Sequence, residues 1–135
     1  MTRFSADDPE ARRDLFTDAV AAHRTRESPF CTIETEGGGP WIQIGVVREE
    51  DATGQPGTSV LNLDCTDEEL DRLEALLNEF SDFSIDDLTR PENAEGTNVR
   101  IGTFADAERI GEFTERSFQT VYKQPENVVV WATEI

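Results

Sequence analysis

The chain has 135 residues, a length that fits one compact domain able to bury roughly two-thirds of its unfolded surface. It carries 29 Asp and Glu against 12 Lys and Arg, a net charge of −17, and only one of those basic residues, Lys123, is a lysine. That balance excludes a basic stripe able to neutralise phosphates, so nucleic acid is not an expected partner, while 36% hydrophobic content with clear periodicity excludes a disordered chain.

The acids are spread along the whole sequence, at the outward positions of nearly every element, rather than gathered in a tail or on one face. A folded domain with so much like charge repels itself in dilute buffer and suits a solvent whose counterions screen that repulsion. The expected setting is the cytoplasm of a salt-in halophile; an acidic mimic of nucleic acid, the alternative, would concentrate its carboxylates on one face. No apolar run reaches the length of a transmembrane helix, and Met1-Thr-Arg-Phe-Ser5 has no signal h-region, so neither a membrane nor export is expected. Cys31 and Cys65 lie far apart with no CxxC, at inward-looking strand positions, and read as free, buried thiols of a reducing compartment.

Along the chain, Ser5-Ala-Asp-Asp8 with Pro9 opens a helix. Leu15, Phe16, Ala19, Val20 and His23 carry it at helical spacing to about Arg24, with Arg12, Arg13, Asp14 and Asp18 on its other face. Ser28-Pro29 breaks it. Phe30, Thr32 and Glu34 then alternate with Cys31, Ile33 and Thr35 as a strand, and Glu36-Gly-Gly-Gly-Pro40 turns the chain. A second strand places Ile42, Ile44 and Val46 on one face and Trp41, Gln43 and Val47 on the other. A polar loop over 48–57 leads to a third strand, with Leu61, Leu63 and Cys65 pointing one way. Three strands on short links read as an antiparallel meander.

Thr66-Asp-Glu-Glu69 is a capping box opening the second helix, whose apolar stripe is Leu70, Leu73, Leu76, Leu77 and Phe80. Phe83, Ile85 and Leu88 read as a short strand or an ordered loop. The C-terminal third is strand, helix, strand: Val99 and Ile101 alternate with Arg100 and Gly102, Thr103-Phe-Ala-Asp106 starts a helix that carries Ile110, Phe113, Phe118, Val121 and Tyr122 up to Pro125, and Val128 to Trp131 runs as an apolar strand. The order α-β-β-β-α-(β)-β-α-β, with about five to six strands in an antiparallel sheet and three helices, makes residues 1–135 a single α+β domain.

No motif spells out a reaction, and no catalysis, cofactor or metal is expected. The clusters Glu49-Glu-Asp51, Asp67-Glu-Glu69 and Asp86-Asp87 lack the spacing of a calcium loop, and Gly37-Gly-Gly39 lacks the Lys and the following helix of a phosphate loop. His23 reads as a cation near a helix C-terminus. A Cys31–His23 nucleophile pair is conceivable because both flank one turn, although a reactive cysteine needs an electropositive, partly open pocket. The aromatics Trp41, Trp131 and Tyr122 leave two readings open. Either helices cover both faces of the sheet and the tryptophans are core, or one face is bare and they mark a partner site or dimer interface.

The run Pro40-Trp-Ile-Gln-Ile-Gly45, the acidic cap and leucine helix over 66–77, the Asn-bearing turn over 93–98, and Ala105-Asp-Ala-Glu-Arg-Ile110 leading into Phe118-Gln-Thr-Val-Tyr-Lys-Gln-Pro125 together resemble the type III secretion chaperone-like (TY-Chap) superfamily, in a haloarchaeal-type form. The likeness spans about residues 12–130 and is one of spacing. It implies a non-enzymatic homodimer that holds a protein or an extended, partly unfolded peptide on its sheet and helices. The expected contact residues are Trp41, Gln43, Trp131 and Thr133. The alternative from a different class is a small-ligand or enzyme domain with a pocket between the sheet and the first helix, using Cys31 and His23.

Overall fold

The structure, a computed structural model, describes residues 4–26, 30–36, 39–46, 59–90, 92 and 96–134, with side chains over 5–21, 31–36, 39–45, 59–90, 92 and 96–132. The strands are β1 (Phe4–Ala6), β2 (Phe30–Thr35), β3 (Trp41–Val46), β4 (Ser59–Cys65), β5 (Phe83–Thr89), β6 (Thr97–Thr103) and β7 (Val130–Glu134); the helices are α1 (Pro9–Arg26), α2 (Asp67–Leu77) and α3 (Ala107–Arg116). Every strand pairing is antiparallel, in the spatial order β1-β7-β2-β3-β4-β6-β5. The fold is α+β. One strand more is present than the sequence suggests, because Phe4–Ala6 joins the sheet instead of leading into α1.

The local signals act as their chemistry requires. Asp8 caps α1 through its carboxylate, which accepts from the Ala11 N–H at 2.9 Å, with Pro9 at the first helical position. Thr66 and Glu69 form a reciprocal box on α2, with Glu69 N–H donating to Thr66 Oγ1 at 3.3 Å and Thr66 N–H to Glu69 Oε1 at 2.8 Å.

Strand alternation sorts the sheet into two faces. Cys31, Ile33, Ile42, Ile44, Leu61, Leu63, Val99, Ile101 and Val130 form one, all buried, and all three helices contribute to the same core through Phe16, Val20, Leu73, Leu76, Ile110 and Phe113. The opposite face carries Glu34, Trp41, Gln43, Asn62, Asp64 and Arg100, which are half-buried or exposed.

One feature of the α1–α3 contact runs against the pattern read from sequence, and a second sets its distance. Arg12, assigned there to the polar face, is fully buried. It stands four and eight residues before Phe16 and Val20, on their stripe, and forms a bidentate pair with Glu115 of α3: Nε to Oε1 at 2.8 Å and Nη2 to Oε2 at 3.0 Å. Its Nη1 donates to the Val128 carbonyl at 2.9 Å. Gly111 sets how closely the helices approach, since a Cβ there would meet Thr17 Oγ1 at 2.5 Å and the Arg13 carbonyl at 3.1 Å. Gly111→Ala is therefore expected to cost about 1–3 kcal/mol by overpacking, read as a lower urea midpoint; an unchanged midpoint would mean the helices separate freely.

Candidate functional site

The four contact residues expected from sequence fall in two neighbouring cross-strand rows. Glu34 of β2 is flanked by Trp41 of β3 on one side and Trp131 of β7 on the other, and Trp131 in turn faces Ser5 of β1. Thr32 is flanked by Gln43 and by the register position of Thr133, whose side chain lies outside the described residues. Strand order thus brings together positions about 90 residues apart in sequence. Trp41 is 37% exposed and Trp131 and Gln43 are half-buried. No described helix covers this face, and Trp41 and Trp131 both stand on it.

At the Trp41 end, the row meets a pocket of about 340 Å3. Gly39 and Pro40 of the β2–β3 turn, Trp41, Asp64 near the end of β4 and Glu69 in the first turn of α2 form part of its wall. Tyr122 and Gln124 also line it. These two follow a π-helical turn over Ser117–Val121, which continues α3. Thr114 and Ser117 donate their hydroxyls back to the Ile110 and Phe113 carbonyls, at 2.7 and 2.8 Å, a bonding that distorts helices. Arg72 Nε of α2 donates to the Val121 carbonyl at 2.9 Å. Lys123 then takes the left-handed conformation, φ 51°, uncommon for a side chain of its kind. Gln124 N–H can thereby donate to the Phe118 carbonyl at 3.0 Å. Wide turns and held backbone of this type recur at functional sites.

The Tyr122 hydroxyl donates to the Asp64 carbonyl at 2.7 Å, anchoring the turn to β4. Burial, with the charges of Cys65 and Glu69 beside it, pushes its phenol well above the ordinary range. Burial likewise pushes the Cys65 thiol from 9.0 up to about 11, against the lowering effect of its hydrogen bond with Tyr122. The folded state therefore favours the neutral thiol. Its contribution to stability is whole below the unfolded pKa and is lost as pH rises through the folded one. An alkaline loss of stability setting in near pH 9 is expected, read by urea melts; in Cys65→Ala it is expected to set in only near pH 10, where the raised Tyr122 phenol begins to contribute its own loss.

A family model matches residues 1–135. The chain belongs to DUF7975, a family of unknown function. No curated protein and no solved structure matches this DUF7975 chain.

Other candidates fare differently in this DUF7975 fold. Cys31 is 1% exposed, within the core between β3 and β7 and on the helix-covered face. His23 falls in the last turn of α1, its side chain outside the described residues, as are Val47, the loop over 48–57 and the cluster Glu49-Glu-Asp51. Among the described residues no three His, Cys, Asp or Glu side chains group as metal ligands. Nor is any described helix long and apolar enough to cross a membrane. Native-state iodoacetamide is expected to label Cys31 and Cys65 slowly near neutral pH and completely in urea; rapid labelling of Cys31 would restore its pairing with His23 as a reactive site.

Proposed function

We propose that the protein is a non-enzymatic binding module, which holds a protein or extended peptide against the uncovered face of its sheet. The observation that supports this is the row Trp131–Glu34–Trp41, with Trp41 37% exposed on a face that no described helix covers. Large aromatics on an otherwise acidic surface are suited to anchor a partner. Addition of a strand to an edge is the less suited mode. β1 offers three residues, and β5 is interrupted by a register shift between Ile85 and Asp87 and carries Asp86 and Asp87, features that blunt strand edges.

The resemblance to the type III secretion chaperone-like superfamily supports a chaperone-like role and a homodimer, whose check is sedimentation in multimolar KCl. Cytoplasmic residence in a salt-in halophile completes the reading: the net charge of −17 needs screening, and under that screening apolar contacts carry more of the affinity. Dialysing KCl away is expected to unfold the chain by circular dichroism; a full native spectrum in dilute buffer would remove the halophilic setting. The alternative, an enzyme or small-ligand pocket using Cys31 and His23, has the burial of Cys31 against it.

The deciding experiment is a tagged pull-down from high-salt lysate beside a folded Trp41→Ala, Trp131→Ala double variant. A recurrent partner lost in the variant is expected. The same partners held by both forms would refute the face as the binding site.

A further inference from the structure

We infer that the pocket at the Trp41 end of the row is an arginine pocket: it takes the guanidinium of an arginine side chain on the polypeptide that lies along the row. This rests on the binding reading above and names what the face recognises in its partner.

The polar chemistry of the pocket is that of acceptors. Asn98 Nδ2 occupies Asp64 Oδ1 at 3.0 Å, and the Thr66 N–H occupies Glu69 Oε1 at 2.8 Å. Among the described residues, no hydrogen bond occupies the second oxygen of either carboxylate. Gln124 uses its amide nitrogen on the Tyr122 carbonyl at 3.3 Å, leaving Oε1 as a third acceptor, and the Tyr122 hydroxyl is committed to the Asp64 carbonyl. Among the described residues of the wall, both charged side chains are carboxylates. Such a wall repels anions and suits a ligand that is cationic and donates only, and the guanidinium offers five N–H donors and no acceptor.

Trp41 decides between cations. A planar, weakly hydrated guanidinium gains from an aromatic face as well as from paired carboxylate oxygens, whereas ammonium and alkali ions hold their water. Contact pairs in a partly enclosed site are also screened less by salt than pairs on open surface. Charge complementarity favours a basic segment over a second copy of this chain, because the same face carries Glu34, Asp64, Asp86 and Asp87 against the single described cation Arg100.

The test titrates acetyl-arginine amide and the neutral acetyl-citrulline amide into the full chain in KCl, following the Trp41 indole N–H by NMR, assigned with Trp41→Ala. Saturable shifts with the arginine compound only are expected. They should weaken about tenfold in Glu69→Gln, which loses the charge but keeps the helix cap. Equal shifts with both compounds, or none with either, overturn the inference, while the pull-down judges the wider reading independently. The source of the arginine is read with a blocked Thr-Val-Arg-Val-Thr peptide. Binding at least about tenfold tighter than acetyl-arginine amide, with the margin lost in Trp131→Ala, supports a polypeptide along the row. An equal affinity means a free guanidinium ligand and overturns the polypeptide source.

Discussion

Arg12→Ala is expected to destabilise the protein by about 3–5 kcal/mol, the cost of leaving a buried charge without its partner. Glu115 is buried, accepts both of its ion-pair contacts from this guanidinium, and sits where water does not replace them. The Val128 carbonyl loses its donor as well. For a domain with about 5–15 kcal/mol in total, the loss removes a third or more of the stability. Arg12→Lys recovers only part of it, since an ammonium cannot form the two-pronged contact. The double change Arg12→Met, Glu115→Leu is the control: replacing both charges by apolar groups of similar volume should recover most of the loss, leaving about 1–3 kcal/mol for the Val128 carbonyl that still lacks its donor. Urea melts at constant KCl read all three. A loss below about 1 kcal/mol in Arg12→Ala would mean that water reaches Glu115 and that the pair is not closed.

That pair also shows where sequence reading stops. At positions 12, 16 and 20 the helical period puts Arg12 on the same stripe as Phe16 and Val20, yet chemical type alone assigns an arginine to the wet face. Only a carboxylate 103 positions away makes its burial tolerable. By contrast, Thr66 and Glu69 are partners within one turn, so their box is legible from four letters. β1 escapes notice because three residues carry no period, and the strand exists through pairing with β7 at the other end of the chain.

The candidate site divides in the same way. Alternation alone puts Trp41 and Gln43 on one face of β3, and Trp131 with position 133 on one face of β7. That Glu34 lies between the two tryptophans follows from the spatial order β7-β2-β3, a non-local fact. The pocket is less legible still. Tyr122 and Gln124 reach it through a π-helical turn and a left-handed Lys123, neither of which leaves a mark in hydrophobic spacing. Asp64 and Glu69 look like two more acids among 29 until the chain brings them beside an aromatic wall. In so acidic a sequence, composition hides which carboxylates face a site.

Deletion of 128–135 is expected to abolish cooperative folding altogether. Although β7 comes last in the chain, it lies inside the sheet, between β1 and β2. Removing it strips β1 of its only described strand partner and turns β2 into a bare edge across five paired positions. It takes away Val130, fully buried and worth about 1.5–3 kcal/mol as apolar area. It also takes the Val128 carbonyl from Arg12, so the α1–α3 ion pair loses its third contact. The order of these losses can be tested without truncation. Ala132→Pro removes an N–H from an interior strand, where proline is not accommodated, and should cost about 3 kcal/mol or more. Ser5→Pro, on the three-residue edge strand, should cost far less, because β1 shields little and edges accept proline. Far-UV circular dichroism with thermal melts in high salt distinguishes the cases. A truncated chain that melts at the parent temperature would show that the sheet closes without β7; it would also detach Trp131 from the binding face, since a strand that can be dispensed with cannot hold an anchor in register beside Glu34.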